Sequence, residues 1–170
     1  MEIERKFVIF EKPDLADAAA VDHLEQAYIS TSPVIRVRRK NQSFFLTVKS
    51  EGLLAREEYE FPISEESYRH LLKKKDGIII EKDRCNIPCS PGLTIELDLF
   101  FSPYQGFMMA EVEFPDLETA SSFNPPDWFG PEVTEDPRFQ NSSLCLRTPS
   151  EIREFLCLIE AMEKENHRSS

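Results

Sequence analysis

The chain has 170 residues, 41% of them hydrophobic and 30% charged, with a formal net charge of −11. That length suits one domain spanning residues 1–170 with a real core, and the composition argues against disorder. The acidity argues against broad electrostatic attachment to nucleic acid or anionic lipid, so neither nucleic acid nor membrane is an expected partner. No apolar run approaches the roughly eighteen residues of a membrane helix, and no basic-then-apolar leader precedes the first strand. Cys85, Cys89, Cys145 and Cys157 form no CxxC pair, so reduced thiols and a cytoplasmic location are expected.

Alternation of polar and apolar residues predicts strands near 2–9, 24–30, 34–40, 43–50, 55–62, 78–85, 92–101 and 108–115, with the weakest signal in the second. A short helix is expected around 13–20. Ser64, followed by Glu65 and Glu66, caps a helix to about Lys74, and Asp116 caps another to about Ser122. Thr148-Pro149-Ser150-Glu151 has the form of a capping box with proline at the first helical position, opening a last helix to about Glu165. The proline-rich stretch 124–147 reads as an ordered loop.

Successive side chains of a strand point to opposite faces, so residues two apart share a face. By this rule Glu2, Glu4 and Lys6 lie together, as do Arg36 and Arg38, Thr47 and Lys49, and Arg56, Glu58 and Glu60. Lys82 pairs with Arg84, Glu96 with Asp98, and Glu111 with Glu113, while the opposite face is largely apolar. A wet sheet face explains any one such strand. It does not explain the repeated acid–acid and base–base pairs, because like charges at neighbouring positions repel unless something bound between them compensates. Sorted by strand, the signs point to a site for a metal cation and a polyanion together. Eight strands can close into a barrel wide enough for side chains or one small ligand. With the ionic face inside, the apolar face must be covered by helices, and the interior must hold water, metal and an anion.

These residues resemble the CYTH family, the triphosphate tunnel metalloenzymes. Glu2–Lys6 is similar to its ExExK signature. The QxY of Gln26–Tyr28, the RxR of Arg36–Arg38, the LTxK of Leu46–Lys49 and the RxExE of Arg56–Glu60 follow in order. So do the KxR of Lys82–Arg84, the ELDxF of Glu96–Phe100, the AExE of Ala110–Glu113 and a WFGxEVT loop from Trp128. The resemblance implies an α+β fold, an eight-stranded antiparallel tunnel with a charged lumen and surrounding helices, that binds a triphosphate with two divalent ions, Mg²⁺ or Mn²⁺. It implies Glu2, Glu4, Glu111 and Glu113 at a first metal. A second would lie nearer Asp98, Glu58 and Glu60, with Glu96 an alternative. Lys6, Arg36, Arg38, Lys49, Arg56, Lys82 and Arg84 would bind the phosphates, with Lys6, Arg56 and Tyr28 as catalytic groups and Gln26 and Thr47 as further hydrogen-bonding groups. The residue types suit that chemistry: Mg²⁺ takes hard oxygen ligands, and phosphoryl transfer needs positioning and charge neutralisation more than a covalent nucleophile.

No GxxxxGK[ST] motif is present, so no P-loop is expected. His23, His70 and His167 are placed on a loop, a helix and the tail, with no zinc or base role. Arg39 is expected to face outward and Lys40 to lie at the rim. Cys85 is expected on the outer face, with Met108-Met109 and Phe100-Phe101 packed against the helices. Within the family, the pattern looks most like the bacterial inorganic triphosphatases, which implies hydrolysis of tripolyphosphate to pyrophosphate and phosphate by a monomer or homodimer. The alternatives are a class IV adenylate cyclase, a thiamine or nucleoside triphosphatase, a non-catalytic polyphosphate-binding module, and an unrelated lipocalin-like carrier, which would instead have an apolar cavity.

Overall fold

The computed structural model describes residues 2–16, 18–51, 54–89 and 92–169. Its strands are β1 (Glu2–Ile9), β2 (Ala20–Thr31), β3 (Val34–Lys40), β4 (Ser43–Lys49), β5 (Ala55–Arg56), β6 (Glu58–Pro62), β7 (Asp76–Cys89), β8 (Leu93–Phe100) and β9 (Met108–Glu113). They form one antiparallel sheet in the order β5-β1-β9-β8-β7-β2-β3-β4-β6. The two ends of that order, β5 and β6, are parts of a single ribbon interrupted at Glu57. Arg56 pairs with Glu2 on one side, and Glu58 pairs with Lys49 on the other. The sheet therefore curls round and meets itself at 55–62, and the single strand predicted there is the seam of the eight-stranded barrel. Register shifts in β2 around Tyr28 mark the irregularity that weakened its alternation, and bulges of this kind bend a strand into curvature.

Helices cover the outer wall. The hydroxyl of Ser64 accepts from the Ser67 amide and starts α1 (Glu65–Leu72), whose Tyr68 packs with Ala27 and Val37. Asp116 caps α2 (Leu117–Ser122), which lays Ala120 over Ile3, Phe7, Leu97 and Val112. Cys85 is buried in that same outer cluster, as expected. Thr148 and Glu151 exchange side-chain-to-amide hydrogen bonds and open α4 (Pro149–Ser169). No helix among the described residues is long and apolar enough to cross a membrane, and all four cysteines are free.

Three expectations are corrected. The 13–20 region contains no helix among its described residues (residue 17 lies outside them). Ala19 N–H donates to the Asn86 carbonyl and Ala20 already pairs with Asn86, so sheet pairing overrides alanine's helix propensity. The 124–147 loop contains a 3₁₀ turn at Pro137–Phe139 and α3 (Asn141–Leu146). The interior is not ionic throughout. Along the inward row of each strand, charge gives way to Val8 on β1, Ile80 on β7, Phe100 on β8 and Met109 on β9. These pack with Tyr28, Phe139, Leu144, Ile152 and Phe155 in one cluster that fills an end of the barrel. Met109 and Phe100 thus face inward, and Phe101 is exposed.

Candidate active site

The remaining part of the interior is a cavity of about 190 Å³. Its wall carries seven carboxylates, Glu2, Glu4, Glu58, Glu60, Glu96, Glu111 and Glu113, and six cations, Lys6, Arg36, Arg38, Lys49, Arg56 and Arg84. All thirteen come from alternate positions of strands whose opposite faces are covered or solvent-facing, so strand periodicity places them there. Tyr28 and Val34 also line the cavity, together with Gln140, Asn141 and Ser142 from the entry to α3.

Most of these charges neutralise one another across the lumen. Glu2 accepts from Lys49 at 2.8 Å and from Arg56 at 3.1 Å, and Arg56 also reaches Glu4 at 3.2 Å. Lys6 lies between Glu4 at 3.0 Å and Glu111 at 3.4 Å. Arg36 contacts Glu60 at 3.4 Å, and Arg84 contacts Glu96, Asp98 and Glu111. Burial opposes the charge on Lys6, but Glu111 and Glu4 outweigh it and hold the ammonium above its ordinary value.

Two groups stand outside this pairing. Among the described residues Arg38 makes no ion pair and its buried Nε has no hydrogen-bond partner, while burial and the neighbouring Arg36 pull its guanidinium down to about 10. Glu113 likewise makes no ion pair, and burial with the charges of Glu2, Glu96 and Glu4 pushes its carboxyl up. A third feature is the opposite shift of two neighbouring carboxyls, Glu58 and Glu2. Burial and a hydrogen bond to Glu2 push Glu58 up to about 7. That hydrogen bond and the charge of Lys49 overcome burial at Glu2, leaving it near 2.

Lys82 and Asp98 lie apart from the rest. Both side chains have no solvent exposure and are paired with each other, with Arg84 completing the bidentate hold on Asp98 at 2.7 and 2.8 Å. Neither lines the cavity. Burial depresses Lys82 to about 8 against the pull of Asp98, and Asn141 Oδ1 accepts from it at 3.3 Å. Gln26 and Thr47 are buried beside the lumen, Gln26 Nε2 donating to Tyr28 at 3.5 Å and Thr47 donating to Glu60 at 2.8 Å. Arg39 faces outward to Glu25, and Lys40, exposed at the end of the inward row, pairs with Asp22 at the rim. Gln140, Asn141 and Ser142 were not singled out from the sequence as site residues. They carry no charge, and only the packing of α3 brings them to the lumen.

A closed antiparallel barrel whose lumen interleaves carboxylates and guanidiniums defines a class of protein that holds a small polyanion among cations. A family model for the CYTH domain matches residues 1–123. The chain belongs to the CYTH domain family. It is 40% identical over 151 residues to an inorganic triphosphatase of Nitrosomonas europaea, covering 87% of this chain and 99% of that protein. It is 39% identical to an inorganic triphosphatase of Acetivibrio thermocellus, covering 84% and 92%. The crystal structure of the inorganic triphosphatase NE1496 superposes with a TM-score of 0.66 at 36% identity, covering 88% of this chain and 97% of that one.

Proposed function

We propose that this protein is a divalent-metal-dependent triphosphatase that hydrolyses inorganic tripolyphosphate to pyrophosphate and phosphate. The observation that carries this reading is the free pair in one lumen: Arg38 without an anion and Glu113 without a cation, a few strands apart in a cavity of otherwise paired charges. The two inorganic triphosphatases at 39–40% identity over most of the chain support the choice of substrate.

The donor set fits hard divalent ions. Every acidic wall residue offers carboxylate oxygens, and no histidine or cysteine lines the cavity. Glu2, Glu4, Glu111 and Glu113 would hold one ion and Glu58 and Glu60, with Glu96, a second. Asp98 has both oxygens engaged by Lys82 and Arg84, so we assign it to holding those cations in place. Bound ions supply neutralisation of phosphate charge and polarisation of phosphoryl oxygens. The protein's own part is positioning. Arg36 and Arg38 donate paired N–H groups to phosphoryl oxygens, a geometry guanidinium suits. Lys49 and Arg56 share Glu2 as acceptor, and a phosphoryl oxygen takes its place. Lys6, fixed by Glu4 and Glu111, and Tyr28 complete the bed. Arg38, which has no carboxylate partner to leave, is placed to stabilise developing charge without reorganising.

The test is phosphate release from tripolyphosphate, ATP and thiamine triphosphate with Mg²⁺, Mn²⁺ or chelator. Turnover of tripolyphosphate well above the others, and only with metal, is expected. Conversion of ATP to cAMP and pyrophosphate would replace this reading with a cyclase, and tight binding without any turnover would replace it with a polyphosphate-binding module.

A further inference from the structure

A second group of metal-type ligands lies on the outer wall, across β2 and β7 from the lumen. His23 and Glu25 on β2 alternate with inward-facing Leu24 and Gln26, and Glu81 and Asp83 on β7 flank inward-facing Lys82. The register sets His23 opposite Asp83 and Glu25 opposite Glu81. Two carboxylates directly opposite each other in an antiparallel pair destabilise the sheet. The cation nearest Glu25 is Arg39 on the other neighbouring strand, at a loose 3.9 Å. The register thus sets Glu25, Glu81 and Asp83 close together with one loosely held cation, Arg39, beside them.

The imidazole is oriented for that spot. His23 Nδ1 lies 2.8 Å from Asp83 Oδ1, and Nε2 lies 3.1 Å from Glu81 Oε1. One ligand atom each from His23, Glu25 and Glu81 fall within 4.8 Å of one another. Two ligands about 2 Å from a tetrahedral ion sit about 3.3 Å apart, close to the Nε2–Oε1 separation here. A ligating histidine typically donates its other ring N–H to a carboxylate, which fixes the tautomer, and Asp83 is placed to accept it. Edge-to-face contact with Phe101 at 5.6 Å further limits rotation of the ring.

We propose that His23, Glu25 and Glu81 form a site for a divalent ion of the zinc class, with Asp83 as the positioning residue that keeps the proton on Nδ1. One imidazole and two carboxylates favour a borderline ion over Mg²⁺, whereas the lumen offers carboxylate oxygens and no imidazole. The two sites therefore select different metals, and the outer one leaves a coordination position to water. It also gives the opposed Glu25 and Glu81 a common counter-ion. Sequence alternation sets His23 on a loop with no metal role; β2 instead begins at Ala20 and puts His23 in register with β7.

The experiment titrates Zn²⁺ into the whole protein in excess Mg²⁺, with long-range ¹H–¹⁵N NMR of the imidazoles and equilibrium dialysis for stoichiometry. Zinc is expected to shift His23 Nε2 to a metal-bound position while Nδ1 keeps its proton. His23→Gln is expected to lower zinc uptake by about one ion per chain, with thermal unfolding unchanged. Asp83→Asn is expected to weaken binding about tenfold, and Glu81→Gln at least as much. The proposal is overturned if His23 carries protons on both nitrogens at neutral pH and ignores zinc. In that case the ring is an imidazolium bridging two carboxylates. Unchanged zinc uptake in His23→Gln overturns it equally, and the wild-type NMR result stands whatever the variants do.

Discussion

Arg38 shows how one side chain separates a binding role from a structural one. Its guanidinium faces the lumen beside Arg36 with no carboxylate in contact, so to the fold it is a cost rather than a support. Arg38→Ala is therefore expected to lower tripolyphosphate turnover by about 10²–10³-fold while leaving the thermal midpoint unchanged or raised. Asp98 behaves oppositely. Asp98→Asn leaves Lys82 and Arg84 as buried cations with half their compensation, and a loss of about 3–5 kcal/mol in chemical denaturation is expected. The raised carboxyl of Glu58 makes a third expectation. Because its folded-state value is raised to about 7, an ion held by Glu58 as proposed displaces the carboxyl's proton, so affinity is expected to rise as pH rises through 7. Calorimetry in buffers of different ionisation enthalpy should record more proton release on metal binding at pH 6 than at pH 8. Of these residues the sequence displayed the same-sign pairs clearly, since spacing alone puts them on one face. It could not display who pairs with whom. Asp98 sits opposite Met109, where the inward row turns apolar, and that register is set by cross-strand pairing rather than by local pattern.

Elements differ in how far their own residues determine them. The strands and α1, α2 and α4 announce themselves through alternation and caps, and their predicted positions hold to within a few residues at most ends. The exceptions depend on contacts distant in sequence. Asn86 draws Ala19 and Ala20, the end of the 13–20 region, to the sheet, and α3, six residues long, is too short for helical periodicity to register. Yet α3 delivers Gln140, Asn141 and Ser142 to the lumen, and its seat is Gly77 at the start of β7. That glycine has φ +66°, and a Cβ there would lie 2.0 Å from the Cys145 carbonyl oxygen. Gly77→Ala is expected to cost about 2 kcal/mol or more in stability, through the left-handed backbone and the displaced helix together. If α3 shapes the site as well as the fold, the surviving folded fraction should show a raised KM for tripolyphosphate. An unchanged KM would make α3 a plug only.

At the scale of the whole molecule, the chain's net charge and its lumen obey different accounts. The charge of −11 belongs to helices and surface, whereas the cavity wall sets seven carboxylates against six cations. With Glu58 raised to about 7 the lumen is close to neutral, and so it offers little net attraction to a polyanion. What it offers is separation of the two signs on fixed strands, held by a barrel that closes on itself at 55–62. Cations at 2.8–3.4 Å from carboxylates will not leave them for phosphate unless those carboxylates gain another partner. Tripolyphosphate binding should therefore be conditional rather than merely assisted. Calorimetric titration in chelator is expected to show affinity at least 100-fold weaker than in Mg²⁺, and weaker still as salt screens Arg38, the one lumen cation among the described residues without a carboxylate partner. A variant that removes Glu2 tests the same coupling from the other side. Glu2→Gln removes the carboxylate that Lys49 and Arg56 share and leaves each with one, Glu58 and Glu4, so metal-independent binding of tripolyphosphate should tighten while metal-dependent turnover falls. If instead both fell together, the ion pairs across the lumen would be supports of the barrel and not a set of partners waiting to be exchanged.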